Sequence, residues 1–310
     1  MECCAHIGVA EDSAAASAVH RGPASANDAW HAGRHVLLFA TDLDGTLLDR
    51  EGRVRPEDKA AIANARARGV TVTIATGRLT SGTHWVAEEL GIDAPLVCAD
   101  GGITACATTR RILERRPIAE SRVDGLLGSI EERGLATFVF NHGSIHSCER
   151  GTPHHKYVAT WSPAISTHGD ILRAEAWRAD EDGVVMVLAM GEPAQVDQLV
   201  ADVGATSPDL EVLAFGMDFG RVGVARFVAR GVSKGAALAA LADNLGIARQ
   251  NVAAVGDWHN DLSMFEWAGR SFAMPHAPAD VKSAATDRLG ERGGSGTVAE
   301  ALERWLADRS

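Results

Sequence analysis

The chain has 310 residues, 46% of them hydrophobic and 23% charged, a composition typical of globular proteins and a length beyond one average domain. Its formal net charge of −11 argues against a general nucleic-acid surface, which would be basic, and leaves any anionic ligand to be drawn by local cations. No apolar run approaches the length of a membrane span, so no membrane partner is expected.

Residues 1–34 are rich in Ala, Ser, His and Gly without a sustained apolar period, and read as a disordered N-terminal extension. They hold no basic stretch followed by an apolar one, so no secretory signal is visible. Cys3, Cys4, Cys98, Cys106 and Cys148 form no CxxC and are odd in number; reduced thiols in a cytoplasmic protein are the expectation.

The apolar run Val36 to Ala40 is short enough for a buried strand and ends in Thr41-Asp42-Leu43-Asp44-Gly45-Thr46. A strand points side chains i and i+2 the same way, which sets Asp42 and Asp44 toward one pocket at its carboxyl end. In open α/β sheets ligands bind there. Two carboxylates so close repel each other and demand a cation, a shared proton or a basic neighbour. Taken alone, the pair also fits a solvated Asp-Gly turn.

Pro56 opens a helix that Gly69 closes, and the β-branched strand 70–75 ends in Thr76-Gly77-Arg78. A helix over 83–90 leads to strand 95–99 and Asp100-Gly101-Gly102. Strand, helix and strand alternating at this spacing predict right-handed crossovers in a parallel sheet. The pattern then changes. A hairpin over 103–118, helices over 121–133, 170–178 and 194–203, and strands at 137–141, 184–190, 210–215 and 222–228 predict an inserted α+β unit, with 142–156 as a loop. The parallel pattern resumes at Gly231-Val232-Ser233-Lys234-Gly235, which opens a helix to Leu245. Strand 252–255 ends in Gly256-Asp257-Trp258-His259-Asn260-Asp261. Helices over 261–268, 278–285 and 297–307 and a strand over 271–274 complete the chain.

Taken together, Asp42-x-Asp44-Gly-Thr, Thr76-Gly77-Arg78, Lys234 and Gly256-Asp257-x-x-Asn260-Asp261 resemble the haloacid dehalogenase-like superfamily. Their order and the insertion point resemble its group with a type-IIB cap, the Cof-like sugar-phosphate phosphatases. The resemblance implies an α/β fold with a doubly wound parallel, Rossmann-like sheet over 35–117 and 223–310. It places an α+β cap at 118–222 that sets specificity.

The chemistry of the motifs can be argued on its own. A carboxylate can attack phosphorus, and water can then hydrolyse the acyl phosphate. Asp42 is the expected nucleophile, and Asp44 the acid for the leaving alcohol and later the base for water. The substrate is a dianion, so a hard cation is needed. Mg²⁺ suits a carboxylate site, with Asp42, Asp44 and Asp257 as its expected holders. Thr76, Gly77, Lys234, Asn260 and the Leu43 position are expected to bind the phosphoryl group, and Asp261 to orient Lys234 or water behind them. Asp100-Gly101-Gly102, Trp258-His259 and Met274-Pro275-His276-Ala277 depart from the group's usual residues and are expected near the substrate entrance. In the cap, His142, His146, Arg150, His154, His155 and Lys156 form a polar cluster expected to supply one or two substrate contacts, although their spacing fits no standard zinc pattern.

The expected function is therefore Mg²⁺-dependent hydrolysis of a small phosphate ester, with a sugar phosphate the favoured substrate. A phosphomutase or phosphotransferase using the same aspartyl phosphate is the alternative within catalysis. A catalytically idle phosphate-ester-binding protein is the alternative outside it.

Overall fold

The computed structural model describes residues 37–217, 220–291 and 294–309. The expected N-terminal extension lies outside them. The chain runs β1 (Leu37–Thr41), α1 (Pro56–Ala67), β2 (Val70–Ile74), α2 (Thr80–Leu90), β3 (Leu96–Cys98), β4 (Ile103–Ala105) and β5 (Ile112–Arg115). It continues through α3 (Glu120–Glu132), β6 (Ala136–Phe140), β7 (Ile145–Cys148), α4 (His155–Val158), β8 (Ile165–His168) and α5 (Glu175–Arg178). Next come β9 (Met186–Gly191), α6 (Pro193–Thr206), β10 (Leu210–Met217), β11 (Val222–Ala229) and α7 (Lys234–Asn244). The last elements are β12 (Val252–Gly256), α8 (Leu262–Trp267), β13 (Arg270–Ala273), α9 (Ala279–Ala284), β14 (Asp287–Arg288) and α10 (Val298–Ala307).

The central sheet is parallel with the order β14-β13-β12-β1-β2. Both faces are covered, as a continuous apolar strand requires. Leu38 and Ala40 of β1 pack among Ala237, Leu238 and Leu241 of α7. Phe39 points the other way and meets Trp305 of α10, with ring centres 5.8 Å apart. From β1 the chain steps to β2 on one side and returns to β12 on the other. The tips of β1 and β12 therefore flank the point where strand order reverses, which is where a crevice opens in such sheets. A parallel bridge between Ala75 and Val97 joins β2 to the small antiparallel sheet β3-β4-β5.

The inserted unit is a six-stranded sheet, β10-β11-β9-β6-β7-β8, antiparallel except for β7–β8. Its two faces part by alternation. Val139, Val187, Ala189 and Phe227 pack on α3 and α6, while Phe138, Phe140, Leu188 and Val224 join the core under the central sheet. The inserted unit is thus seated on the parallel-sheet half through one of its own sheet faces.

Several expectations need correction. The cap does not end at 222, because β11 pairs on both sides with cap strands; the return to the core follows Ala229. An alternating strand carries no local sign of which sheet it will join. The supposed loop 142–156 contains β7, a 3-10 turn and α4, and β7 is held by β6 and β8. The helix expected over 170–178 is a 3-10 turn followed by the four-residue α5. Cys98 and Cys148 are free and buried.

Candidate active site

Asp42 follows β1 directly, and its backbone N–H donates to the Val255 carbonyl of β12 at 3.0 Å. This pairing brings it beside Gly256 and Asp257. Lys234 reaches the same place from the first position of α7, whose start is fixed by the Ser233 hydroxyl accepting from Ala236 N–H at 3.1 Å. The Lys234 ammonium is fully buried and donates to Asp42 Oδ1 and Asp261 Oδ1, both at 2.7 Å. Asp261 Oδ2 accepts from the backbone N–H groups of Asp257 (2.9 Å) and Trp258 (3.0 Å), which fixes the loop after β12. A Cβ at Gly256 would collide with that carboxylate, so the glycine is a steric requirement.

Electrostatically the cluster is under tension. Burial pushes the Asp42 carboxyl well above the usual range, with the charges of Asp261 and Asp257 adding to the rise and Lys234 opposing it. Burial likewise raises Asp261 against the pull of Lys234. Burial alone would lower Lys234, but Asp261 and Asp42 outweigh it and hold the ammonium protonated. One lysine faces three acids: ligand oxygens of Asp42, Asp257 and Asp261 lie within 4.8 Å of one another. Asp257 also accepts from Thr46 Oγ1 (3.3 Å) and contacts His276 Nε2 (3.2 Å). Three hard oxygen donors with a surplus of negative charge fit a divalent cation of the Mg²⁺ type. With three donors already on Asp261, Asp42 and Asp257 have more capacity left to hold one.

Asp44 is placed differently from its neighbour. Its carboxylate is gripped by Arg78, through Nε at 2.8 Å and Nη2 at 2.5 Å, and it lies outside the three-acid group. Thus Asp42 and Asp257 come together as expected, whereas the Asp44 side chain turns to a cation of the next strand end. Thr76 and Gly77 line the same cavity, and the Thr76 hydroxyl accepts from Arg78 N–H at 3.1 Å. The Asn260 amide donates to Asp100 Oδ1 at 2.7 Å. Leu43 has its side chain fully buried in the core, which leaves only its backbone to face a ligand.

The cavity between the two sheets has a volume of about 430 Å³ and is open to Asp42, Asp44, Thr76, Gly77 and Asp257. Its cap side consists of Tyr157, Trp161, Leu213, Phe215 and Met217, with Arg226. None of the six residues of the expected polar cap cluster lines it. His142 faces Asp180 and Asp182 (3.5 and 3.1 Å), and His146 contacts His168 Nε2 at 3.2 Å. Arg150 pairs with Glu131, and His155 meets the Ser147 hydroxyl at 3.1 Å. His146, opposite Val139 on β6, and Arg150, paired with Glu131 of α3, belong to the far face of the cap sheet, whereas His155 packs on Phe138 on the core-facing side without lining the cavity.

Sequence reasoning also missed Arg78, Arg226 and the cap aromatics. Arg78 stood inside a recognised motif without a role. Arg226 had a usable signal, as the one charge in the row Val222, Val224, Arg226, Val228 on one face of β11. Asp100, noted as a departure, adopts a left-handed backbone (φ 53°) and pairs with Arg226 across the two sheets, both side chains being buried.

A family model described as haloacid dehalogenase-like hydrolase matches residues 39–302, and the chain belongs to that family. Among its relatives is a 5-amino-6-(5-phospho-D-ribitylamino)uracil phosphatase of Bacillus subtilis. It is 28% identical over 81% of this chain and 92% of its own length. A pyridoxal phosphate phosphatase of Escherichia coli is 27% identical over 82% of this chain and 93% of its own. A solved haloacid dehalogenase-like hydrolase from B. subtilis superimposes with a TM-score of 0.74 at 25% identity, covering 86% of this chain and 99% of that one.

Proposed function

We propose that the protein is a Mg²⁺-dependent phosphatase that hydrolyses a small phosphate monoester through an aspartyl-phosphate intermediate. The observation that carries this reading is the buried Lys234 bridging Asp42 and Asp261, with Asp42 and Asp257 opening onto a cavity also lined by Thr76 and Gly77. The similarity to phosphatases of phosphorylated metabolites supports it.

An Asp42 oxygen attacks phosphorus, the ester P–O bond breaks, and Asp44 gives its proton to the departing alkoxide. Water then attacks phosphorus, Asp44 takes up a proton from it, and the P–O bond to Asp42 breaks to release phosphate. The Lys234 ammonium and the donors at Thr76, Gly77 and Asn260 balance charge on the phosphoryl oxygens. Asp261 keeps Lys234 in place. A cation held by Asp42 and Asp257 supplies neutralisation of the dianion. Arg78 fixes the orientation of the Asp44 carboxylate at the cavity wall.

The test is turnover of a panel of phosphate esters, acetyl phosphate included, with Mg²⁺ and with chelator. Chelator should abolish release of phosphate. Asp42→Asn should lower kcat at least about 10³-fold while the folded spectrum is kept. Undiminished turnover by Asp42→Asn would remove the nucleophile assignment.

A further inference from the structure

The cavity's cap side is unlike a sugar site. In a chain with 5% aromatic residues, its sole tyrosine and three more aromatic side chains line this one cavity. They form two pairs, Tyr157–Trp161 with ring centres 5.8 Å apart and Phe215–Trp258 at 6.4 Å, the latter edge to face. Trp258, at the tip of β12, remains 37% exposed, one of two large hydrophobic side chains so exposed among the described residues. An indole left open beside a catalytic cavity is a surface that a ligand can cover.

Polar groups are scarce there. The Thr160 hydroxyl is committed to the Tyr157 carbonyl at 2.7 Å. Arg226, which lines the cavity, pairs with Asp100 and leaves its buried Nε without a hydrogen-bond partner, and Arg78 is held by Asp44. A polyhydroxylated leaving group would lose its water and recover few of the hydrogen bonds, and a second anionic group would meet one lining cation, Arg226, whose charge is already paired with Asp100. A flat, neutral ring loses little on entering and gains stacking area.

We propose that the leaving group of the substrate is a flat aromatic or heteroaromatic alcohol, bound against the pairs Tyr157–Trp161 and Phe215–Trp258. This rests on the phosphatase reading for its chemistry, but the slot itself is a binding claim. It takes the place of the sugar phosphate that the sequence suggests.

Two measurements on the full-length protein with Mg²⁺ test it. The first compares kcat/KM for benzyl phosphate, glucose 6-phosphate, glycerol 3-phosphate and acetyl phosphate. The second compares binding of benzylphosphonate and 2-hydroxyethylphosphonate, neither of which is hydrolysed, by calorimetry. The expected result is at least about a tenfold preference for the benzyl compound in both, the range that stacking of one ring supplies. Trp161→Leu and Phe215→Leu should each cost benzyl phosphate about ten times more in kcat/KM than they cost acetyl phosphate. Turnover of the esters with no benzyl preference in either measurement overturns the slot and leaves the phosphatase reading standing. Equal losses on all esters in the two variants also overturn it, since the aromatics would then only seal the cap onto the core. A benzylphosphonate preference without turnover of any ester keeps the slot and removes the phosphatase reading.

Discussion

Lys234 shows how much of the site rests on one side chain. Its ammonium is buried and satisfies a carboxylate of β1's tip and another at the start of α8, so three segments distant in sequence meet on one charge. Lys234→Met keeps the volume but leaves Asp42 and Asp261 facing each other without a counter-charge. Removing one member of a buried ionic set typically costs about 3–5 kcal/mol. Urea unfolding at neutral pH should show a loss of that order, together with loss of activity. Part of the stability should return as pH falls, because protonation of the stranded acids removes the repulsion. A variant as stable as the parent at neutral pH would refute the account. From the sequence, the presence of this lysine at a helix start was legible. That Asp44, two residues from Asp42, would instead be held by Arg78 was not, since it depends on how the strand tip turns at Gly45 (φ 81°).

At the level of elements, the parallel strands and their helices could be read from apolar runs and terminal residues, because each is decided locally. Pro56 begins α1, Gly91 closes α2 in the left-handed region (φ 65°), and Ser233 caps α7. β7 and β8 could not be read, since Ile145-His146-Ser147-Cys148 has little pattern of its own and is a strand only because β6 and β8 pair with it. The same holds for β11, whose place in the cap is a matter of partners. One helix contact is especially demanding: a Cβ at Gly235 would collide with the Ser263 carbonyl of α8. Gly235 N–H also donates to the Ser263 hydroxyl at 3.0 Å. Gly235→Ala must push α7 from α8 and carry Lys234 with it. Overpacking of this kind costs about 1–3 kcal/mol, and kcat should fall by more than a remote change of equal cost would explain. Gly231→Ala gives no such comparison, its φ of 77° being strained for any side chain. Gly128→Ala in α3, with open space around it, should by contrast be neutral or stabilising and leave kcat unchanged.

Across the whole molecule, core and cap share apolar burial, and one buried ion pair crosses between them. Arg226 on the core-facing row of β11 meets Asp100, which follows β3, and Asn260 of the β12 loop donates to the same carboxylate. Burial by itself would raise the Asp100 carboxyl, but the charges of Arg226 and Lys234 outweigh it and hold it below the ordinary carboxylate range. A depressed folded-state value means that the pair stabilises the protein above that ordinary range and that the contribution is lost as pH falls through the depressed value. Arg226→Met should therefore destabilise the protein at pH 7 and much less in acid, where the stranded Asp100 can take a proton. Amide exchange should quicken first in β10 and β11, the strands nearest the lost contact. If the cost comes from the stranded charge, Asp100→Asn combined with Arg226→Met should be less damaging than Arg226→Met alone, as a double-mutant cycle would show. If the two changes simply add, Arg226 contributes packing and no electrostatic link between cap and core.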